Sequence, residues 1–117
     1  MLNREQVLEV LMSLGLTETD SEVYLHLAMK GPQKGKDVAE MLNLYKQQLY
    51  RSLKRLQGKG MVGSTLERPA RFSAGPLEKV LEFLIEAKKE QALALQANRK
   101  ELLSSWCSLV KKDSSKS

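Results

Sequence analysis

The sequence predicts a mainly α-helical domain with a small β-hairpin, arranged as a winged helix-turn-helix and followed by a long C-terminal helix. Three observations favour this fold class. Apolar residues recur at helical spacing in four segments before residue 60. Only two or three residues separate the third segment from the fourth, which is typical of a helix-turn-helix. Two short strand-like segments come next, and the 34 residues of 77–110 then contain no glycine or proline.

The first two helices are predicted from their apolar faces and their end signals. Gly15 closes the first helix, and the Gly31-Pro32 pair ends the second. Thr17 is the expected N-cap of the second helix, and Asp20 stands three residues later, where the acid of a capping box would lie. The apolar faces consist of Val7, Leu8, Leu11 and Leu14 in the first helix and Val23, Tyr24, Leu27 and Ala28 in the second.

The third and fourth helices are predicted over residues 36–42 and 45–58, and a hairpin follows them. Their inward-facing residues are Val38, Ala39 and Leu42 in the third helix and Leu49, Leu53 and Leu56 in the fourth. Residues 61–66 and 71–73 have the composition of two short strands, with residues 67–70 as the tip between them. A hairpin placed directly after a helix-turn-helix is the wing of a winged helix.

These elements divide the chain into three parts. Residues 1–75 are predicted to form the winged helix-turn-helix domain. Residues 76–110 form the long helix, which Pro76 opens because proline is well tolerated in the first helical turn. Residues 111–117 form a tail rich in lysine and serine that we expect to be disordered.

Positive charge is concentrated in residues 43–72. This stretch carries seven basic residues and one acidic residue, whereas the other 87 residues carry twelve basic and thirteen acidic residues. A surplus confined to a quarter of the chain favours a polyanionic partner, with double-stranded DNA as the first candidate. The alternative is a solvated basic face that has no ligand.

The predicted fourth helix carries a basic, amide-bearing face opposite its leucine stripe. Arginine and lysine can bond to guanine and glutamine to adenine in the major groove, whereas other basic side chains neutralise phosphates. We expect base reading by Lys46, Gln47, Gln48, Tyr50 and Arg51. An alternative role for Tyr50 is to cover the edge of the core. We expect backbone contacts from Lys34, Lys36, Lys54, Arg55 and Lys59, and wing contacts from Arg68 and Arg71.

Composition argues against several other classes of protein. The single cysteine, Cys107, excludes an intramolecular disulfide and a multi-cysteine metal site, and we expect it to be packed rather than reactive. The chain has no apolar run long enough to span a membrane and no signal-peptide pattern, so we expect a cytoplasmic protein. We expect no cofactor, and the sequence identifies no small-molecule effector. An enzyme fits poorly, because catalytic motifs are absent and the lone His26 suits a helix surface or core edge.

The long C-terminal helix is predicted to be a dimerisation element. It is too long to bury a wide face against so small a domain, and its apolar residues form broad stripes rather than a strict heptad. The expected interface residues are Leu84, Leu95, Leu102, Trp106 and Leu109. The alternative is a helix folded back on its own domain. A homodimer with recognition helices about 34 Å apart would favour a pseudo-palindromic DNA site.

Five segments of the chain share their order and spacing with a known protein family. They are GLTETDSEVYLHL from Gly15, VAE from Val38, LYRSL from Leu49, LQGKGMV from Leu56 and RPARF from Arg68. Residues 10–85 thereby resemble the TrmB-type archaeal transcriptional regulators, and the resemblance implies a winged-helix DNA-binding domain, a transcriptional role and a dimer. Full-length members also carry a large sugar-binding domain, whereas this chain ends after one helix, so sugar sensing is not carried over. Tyr45 stands where the family often has a proline.

The sequence therefore predicts a sequence-specific DNA-binding transcriptional regulator, expected to act as a homodimeric repressor. One alternative is a winged-helix protein-interaction module in a transcription or replication assembly, which the intact basic face argues against. Another is a non-specific architectural DNA binder. Gln47 and Gln48 argue against that alternative, because an amide adds selective hydrogen bonding without neutralising a phosphate.

Overall fold

The structure, a computed structural model, describes residues 1–114. Within these residues the elements are α1 Arg4–Ser13, α2 Glu18–Lys30, β1 Gln33–Lys34, α3 Gly35–Leu42, α4 Lys46–Gly58, β2 Val62–Ser64, β3 Arg71–Ala74, α5 Leu77–Ala97 and α6 Arg99–Ser114. The predicted fold class is confirmed, because helices α1 to α4 precede a small antiparallel hairpin and a long C-terminal helical segment follows it.

Side-chain caps begin the first two helices. Asn3 and Gln6 form a reciprocal capping box at α1, because the backbone N–H of each donates to the side-chain oxygen of the other, at 3.0 and 2.9 Å. Thr17 caps α2 as predicted, and its hydroxyl accepts from the backbone N–H of Asp20 at 3.0 Å. The prediction that Asp20 completes a capping box is wrong, because its buried carboxylate bonds to side chains of α4.

The hydrophobic core is centred on the predicted leucine stripe of α4. Leu49, Leu53 and Leu56 are at most 1 % exposed, as expected of residues that seat the helix on the domain. The other buried hydrophobic residues of the helix-rich half are Leu11, Leu16, Val23, Tyr24, Leu27 and Val38. Ala28, predicted to face inward, is exposed instead. Because most of the predicted apolar faces are buried, helical periodicity alone identified most of this core.

The sheet has three strands rather than the two that the sequence predicts. Strand β3 lies between β1 and β2 and pairs antiparallel with both. Strand β1 is only two residues long, so it shows no alternation from which a strand could be predicted. Strand β2 ends at Ser64, two residues earlier than expected, and Leu66 lies fully exposed in the tip of the wing.

The C-terminal helical segment is interrupted once, at Asn98. The predicted single helix is instead α5 and α6, although the Asn98 N–H still donates to the Ala94 carbonyl at 3.1 Å and the Leu102 N–H to the Asn98 carbonyl at 2.9 Å. Asparagine favours a helix interior less than alanine or leucine does. The expected disordered tail from residue 111 is wrong as far as Ser114, where α6 ends, and residues 115–117 lie outside the described range.

The chain divides into two compact units between Leu84 and Ile85, later than the boundary expected after residue 75. The first turns of α5 group with the N-terminal unit because Val80 and Leu84 are each 3 % exposed and belong to its core. The placement of Leu84 in a dimer interface is therefore corrected. In the second unit, every residue from 85 to 112 is exposed. No helix within residues 1–114 is both long and apolar enough to cross a membrane.

Candidate nucleic-acid interface

A tight turn fixes the start of α4, the predicted recognition helix, relative to α3. Asn43 adopts the left-handed conformation, with φ of 56° and ψ of 47°, which asparagine tolerates better than most residues. The Leu44 N–H then donates to the Ala39 carbonyl at 2.9 Å, which satisfies an acceptor at the end of α3. The recognition helix begins at Lys46, within one residue of the predicted start.

The two faces of α4 differ in burial and chemistry. Its leucine stripe and Ser52 are buried. Lys46, Gln47, Arg51 and Lys54 are exposed, and their side chains supply charge and an amide on the outer face. Arg51 makes only a long contact to its own helix, from Nε to the Gln47 carbonyl at 3.4 Å. These four side chains are the members of the predicted DNA-binding set that α4 exposes on its outer face.

A buried carboxylate connects α2 to the inner edge of α4. Asp20 is 1 % exposed and accepts from Arg55 Nε at 3.0 Å, from Arg55 Nη2 at 2.8 Å and from Ser52 Oγ at 2.6 Å. Burial alone would raise the pKa of Asp20, but hydrogen bonds from Arg55 and Ser52 outweigh that effect and hold it below its ordinary value. The same pairing raises the pKa of Arg55. The carboxylate is therefore an anion in the folded protein at neutral pH.

Two residues of the predicted DNA-binding set are committed to internal contacts. Arg55, expected to bind a phosphate, has its charge compensated by Asp20, although 45 % of its side chain is exposed. Gln48, expected to read bases, accepts the backbone N–H of Tyr45 at 2.9 Å through Oε1 and so caps the start of α4. We remove both residues from the candidate interface. Asp20 compensates the charge of Arg55, and a bidentate contact to adenine would need the Gln48 oxygen that already accepts from Tyr45.

Tyr50 connects the recognition helix to the sheet. Its ring meets the Phe72 ring edge-on, with centroids 6.3 Å apart and planes at 77°. Its hydroxyl lies against the start of α3, so that a Cβ added at Gly35 would come within 2.9 Å of it. Tyr50 therefore occupies the core-edge position that was one of its two predicted roles, with 45 % of the residue still exposed.

The other basic residues of the predicted DNA-binding set lie in β1, in α3, at the two ends of α4 and in the wing. Lys34 of β1 stands opposite Arg71 of β3 in the antiparallel register, which sets two like charges side by side. Arg71 also lies 3.9 Å from the exposed Glu67, a weak surface pair. Lys36 and Lys46 line a cleft of about 670 Å³ between α3 and α4. Lys59 is half-buried after α4, and Arg68 is exposed at the tip of the wing.

Other polar contacts hold the scaffold beneath this surface. Tyr24 donates its hydroxyl to the Gly75 carbonyl at 2.8 Å, and burial raises the pKa of the phenol. His26 is 7 % exposed and shares a 2.7 Å hydrogen bond between Nε2 and Gln33 Oε1, so the expected core-edge role is confirmed.

Cys107, expected to be packed, is exposed. No group of three or more metal-ligating side chains occurs among the described residues.

Sequence reasoning missed Asp20 and Ser52 as residues that hold the recognition helix. They are 32 positions apart, and no local pattern links an acid on one helix with a hydroxyl on another. The cap formed by Gln48 did have a local signal, because a glutamine at the third helical position is a capping-box residue.

Comparison with known proteins places this geometry in a family. A family model described as "Sugar-specific transcriptional regulator TrmB" matches residues 11–78, from the end of α1 to the start of α5. The chain belongs to the TrmB family. The match contains α4, the wing and the Asp20–Arg55 pair, so it covers the whole candidate interface. No curated protein shows significant sequence similarity to this chain.

Solved structures confirm the fold of this TrmB-family protein. The ST1889 protein from the thermoacidophilic archaeon Sulfolobus tokodaii is 28 % identical, with a TM-score of 0.63 over 74 % of this chain and 90 % of that one. TrmBL2, an archaeal chromatin protein, is 21 % identical, with a TM-score of 0.69 over 94 % of this chain. Transcriptional regulator Tm0710 from Thermotoga maritima is 21 % identical, with a TM-score of 0.56 over 92 % of this chain and 80 % of that one. This chain spans 46 % of TrmBL2, so it corresponds to less than half of that protein.

Family and fold together establish the general class of the protein. It is a DNA-binding transcription regulator of the winged-helix type, and the family and fold are those of regulators rather than enzymes. The matched residues carry six of the seven basic side chains of segment 43–72 on exposed positions of α4 and the wing. The basic residues that cluster in the sequence are therefore also grouped in the fold, on α4 and the wing.

Proposed function

We propose that this TrmB-family protein binds a specific operator as a homodimer, with α4 in the major groove, and represses transcription by blocking access to the promoter. The main support for this proposal is the chemistry of the exposed outer face of α4. Gln47 and Arg51 lie exposed on it and can bond to adenine and guanine edges, while the leucine stripe on the opposite face holds the helix to the core.

The remaining basic residues divide by position. Lys46 opens α4 and joins the reading set, as the N-terminal part of a recognition helix usually meets base edges. Positions around the rim of this surface suit phosphates, which fix the register of the protein without reading sequence. We assign phosphate contacts to Lys34, Lys36, Lys54 and Lys59, and wing contacts to Arg68 and Arg71.

A homodimer is supported by the apolar surface of the second unit. Leu95, Leu102, Trp106 and Leu109 are between 60 % and 65 % exposed, which is unusual for so many large apolar side chains in one short segment. A symmetric partner that covers them would present two copies of α4. Recognition helices one DNA turn apart, about 34 Å, would bind a pseudo-palindromic operator.

Selection of duplexes from a random pool tests the proposal directly. The best selected duplex and a scrambled duplex of equal length are titrated with protein at several salt concentrations. We expect the selected duplex to bind at least 1,000-fold more tightly, roughly the lower bound for specific recognition, and to contain an inverted repeat. Protection of the promoter and inhibition of transcription in vitro would then test repression.

One observation favours an architectural DNA binder as the second candidate. Gln48 uses its side-chain oxygen to cap α4, so Gln47 is the glutamine of this face whose oxygen and amide nitrogen can both meet an adenine edge. Equal, salt-sensitive binding to selected and scrambled duplexes would support that candidate over the specific regulator. Failure to bind either duplex at low salt would support the protein-interaction module instead.

A further inference from the structure

We propose that the Asp20–Arg55 pair is a positioning device that sets the rotation of α4, and that Arg55 contributes to specific recognition through Asp20 rather than by binding a phosphate. The proposal rests on the proposed function, in which α4 reads base edges. It concerns Arg55, a residue of the basic segment 43–72 for which charge alone would suggest a phosphate contact.

The geometry of the pair constrains rotation of the helix. Ser52 and Arg55 are three residues apart, so they lie on one side of α4, and both bond to the same buried carboxylate on α2. Two nitrogens of the Arg55 guanidinium bond to different oxygens of Asp20. This bidentate pairing fixes the plane of the guanidinium as well as its distance from the carboxylate. Three directional hydrogen bonds to the buried Asp20 carboxylate therefore restrict both rotation of α4 about its axis and translation along it.

The leucine stripe restricts rotation less sharply than these bonds do. Hydrophobic burial follows the area removed from water and has no fixed direction, whereas hydrogen bonds weaken steeply when their geometry changes. A roll of about 20° would nevertheless move a side-chain atom about 6 Å from the helix axis by about 2 Å. That displacement exceeds the range of about 0.5 Å within which a base-edge hydrogen bond keeps its strength.

Specific and non-specific binding should respond differently to such a roll. Base reading by Gln47 and Arg51 depends on hydrogen-bond geometry, whereas attraction to phosphates falls only gradually with distance. Arg55 adds no net charge to the DNA-facing surface, because the anionic Asp20 compensates it. Loss of the pair should therefore reduce the preference for the operator and leave the non-specific, salt-dependent affinity intact.

The decisive variant is Asp20→Asn/Arg55→Gln, which removes both charges and leaves the net charge of the protein unchanged. Its affinities for the selected and scrambled duplexes are measured across salt concentrations, with Lys54→Gln as the matched control for a lost phosphate contact. We expect the double variant to bind the scrambled duplex as wild type does and to lose about tenfold on the selected duplex, comparable to one mismatched base pair. We expect Lys54→Gln to weaken both duplexes and to reduce the salt slope by about 0.9.

A conservative variant separates positioning from charge. Arg55→Lys keeps the positive charge but cannot span both carboxylate oxygens. We expect it to lose operator preference as the double variant does and to keep the wild-type salt slope. If Arg55 instead bound a phosphate, Arg55→Lys would resemble wild type. Arg55→Gln would then reduce the salt slope as much as Lys54→Gln does.

Ser52→Ala provides a milder test in case the double variant fails to fold. It removes one of the three bonds and keeps the ion pair, so we expect a loss of about threefold on the selected duplex alone. Unfolding temperatures confirm that each variant is folded at the temperature of the binding assay. Folded variants that retain the full operator preference would overturn this inference and leave the proposed function standing. A wild-type protein with no preference would overturn the proposed function first, and this inference with it.

Discussion

At the residue scale, side chains of similar chemistry on α4 have different roles because their partners differ. Arg51 and Arg55 are one helical turn apart, yet Arg55 is paired with a buried carboxylate and Arg51 makes only a 3.4 Å contact to its own backbone. Gln47 is exposed, whereas Gln48 caps the helix. Composition alone cannot distinguish these cases, because the distinction depends on whether an acceptor lies within hydrogen-bond distance.

Arg51→Ala is expected to cost about 1–3 kcal/mol on the selected duplex and to relax base preference, because a bidentate contact to guanine would be lost. Lys59→Ala is the control, since a lost phosphate contact weakens all sequences by a similar amount. Quantitative binding to a set of singly substituted duplexes measures both effects. Equal losses on selected and scrambled duplexes for Arg51→Ala would count against its reading role.

The pH dependence of folding should report the state of Asp20. Because its pKa in the folded protein lies below the ordinary value of 3.8, the ionised carboxylate stabilises the fold fully above that value. This contribution is lost as the pH falls through the lowered pKa. Denaturant unfolding between about pH 5 and about pH 2 should show a steeper loss of stability for wild type than for Asp20→Asn. Parallel profiles for the two proteins would show that Asp20 does not contribute in this way.

At the element scale, the start of α3, the recognition helix and β3 meet at one contact. The Tyr50 ring packs on Phe72 of the sheet, and its hydroxyl fills the space beside Gly35. A side chain at position 35 would therefore displace Tyr50 and, with it, the packing between α4 and the wing. The absence of a side chain at Gly35 is what permits this close approach.

Gly35→Ala is expected to destabilise the domain by about 1 kcal/mol, at the low end of the cost of overpacking, because the new Cβ would lie 2.9 Å from the Tyr50 hydroxyl. Tyr50→Phe removes that oxygen and should recover most of the loss, since the next ring atom lies at 3.3 Å. Denaturant unfolding of the two single variants and the double variant measures the coupling. Strictly additive effects would contradict this account of the contact.

At the scale of the whole molecule, the two units differ in what they leave exposed. The winged helix buries a continuous core and exposes charge along α4 and the wing. Residues 85–112 are exposed throughout, including large apolar side chains such as Trp106. A surface of that composition is typical of a protein-protein interface. This contrast is the basis for assigning DNA contacts to one unit and self-association to the other.

Leu102→Ala/Trp106→Ala is expected to shift the protein from dimer to monomer, because these side chains would lose their burial against the partner. Sedimentation velocity over a range of concentrations measures the shift. Met29→Ala, which removes a 63 % exposed apolar side chain from the other unit, is the control and should leave the oligomeric state unchanged. A wild-type monomer at all concentrations, or a double variant that remains dimeric, would contradict the proposed interface.

The sequence by itself determined most of the helices, the Thr17 cap and the location of the positive charge. Thr17 and the leucine stripe of α4 were predictable because capping and helical periodicity depend on residues within a few positions of one another. The wing was predictable as a hairpin for the same reason. The family resemblance also came from short local segments, and the family model confirms it.

Only the tertiary structure decided which side chains are committed to internal partners. Asp20 meets Arg55 across 35 positions of sequence, β1 is a strand only because β3 lies beside it, and Leu84 is buried by the core of its own unit. In each case the structure is stabilised by a contact between segments that are distant in the sequence. The residues near each position do not predict that contact. The candidate interface therefore omits Arg55, although Arg55 belongs to the basic segment that first indicated the interface.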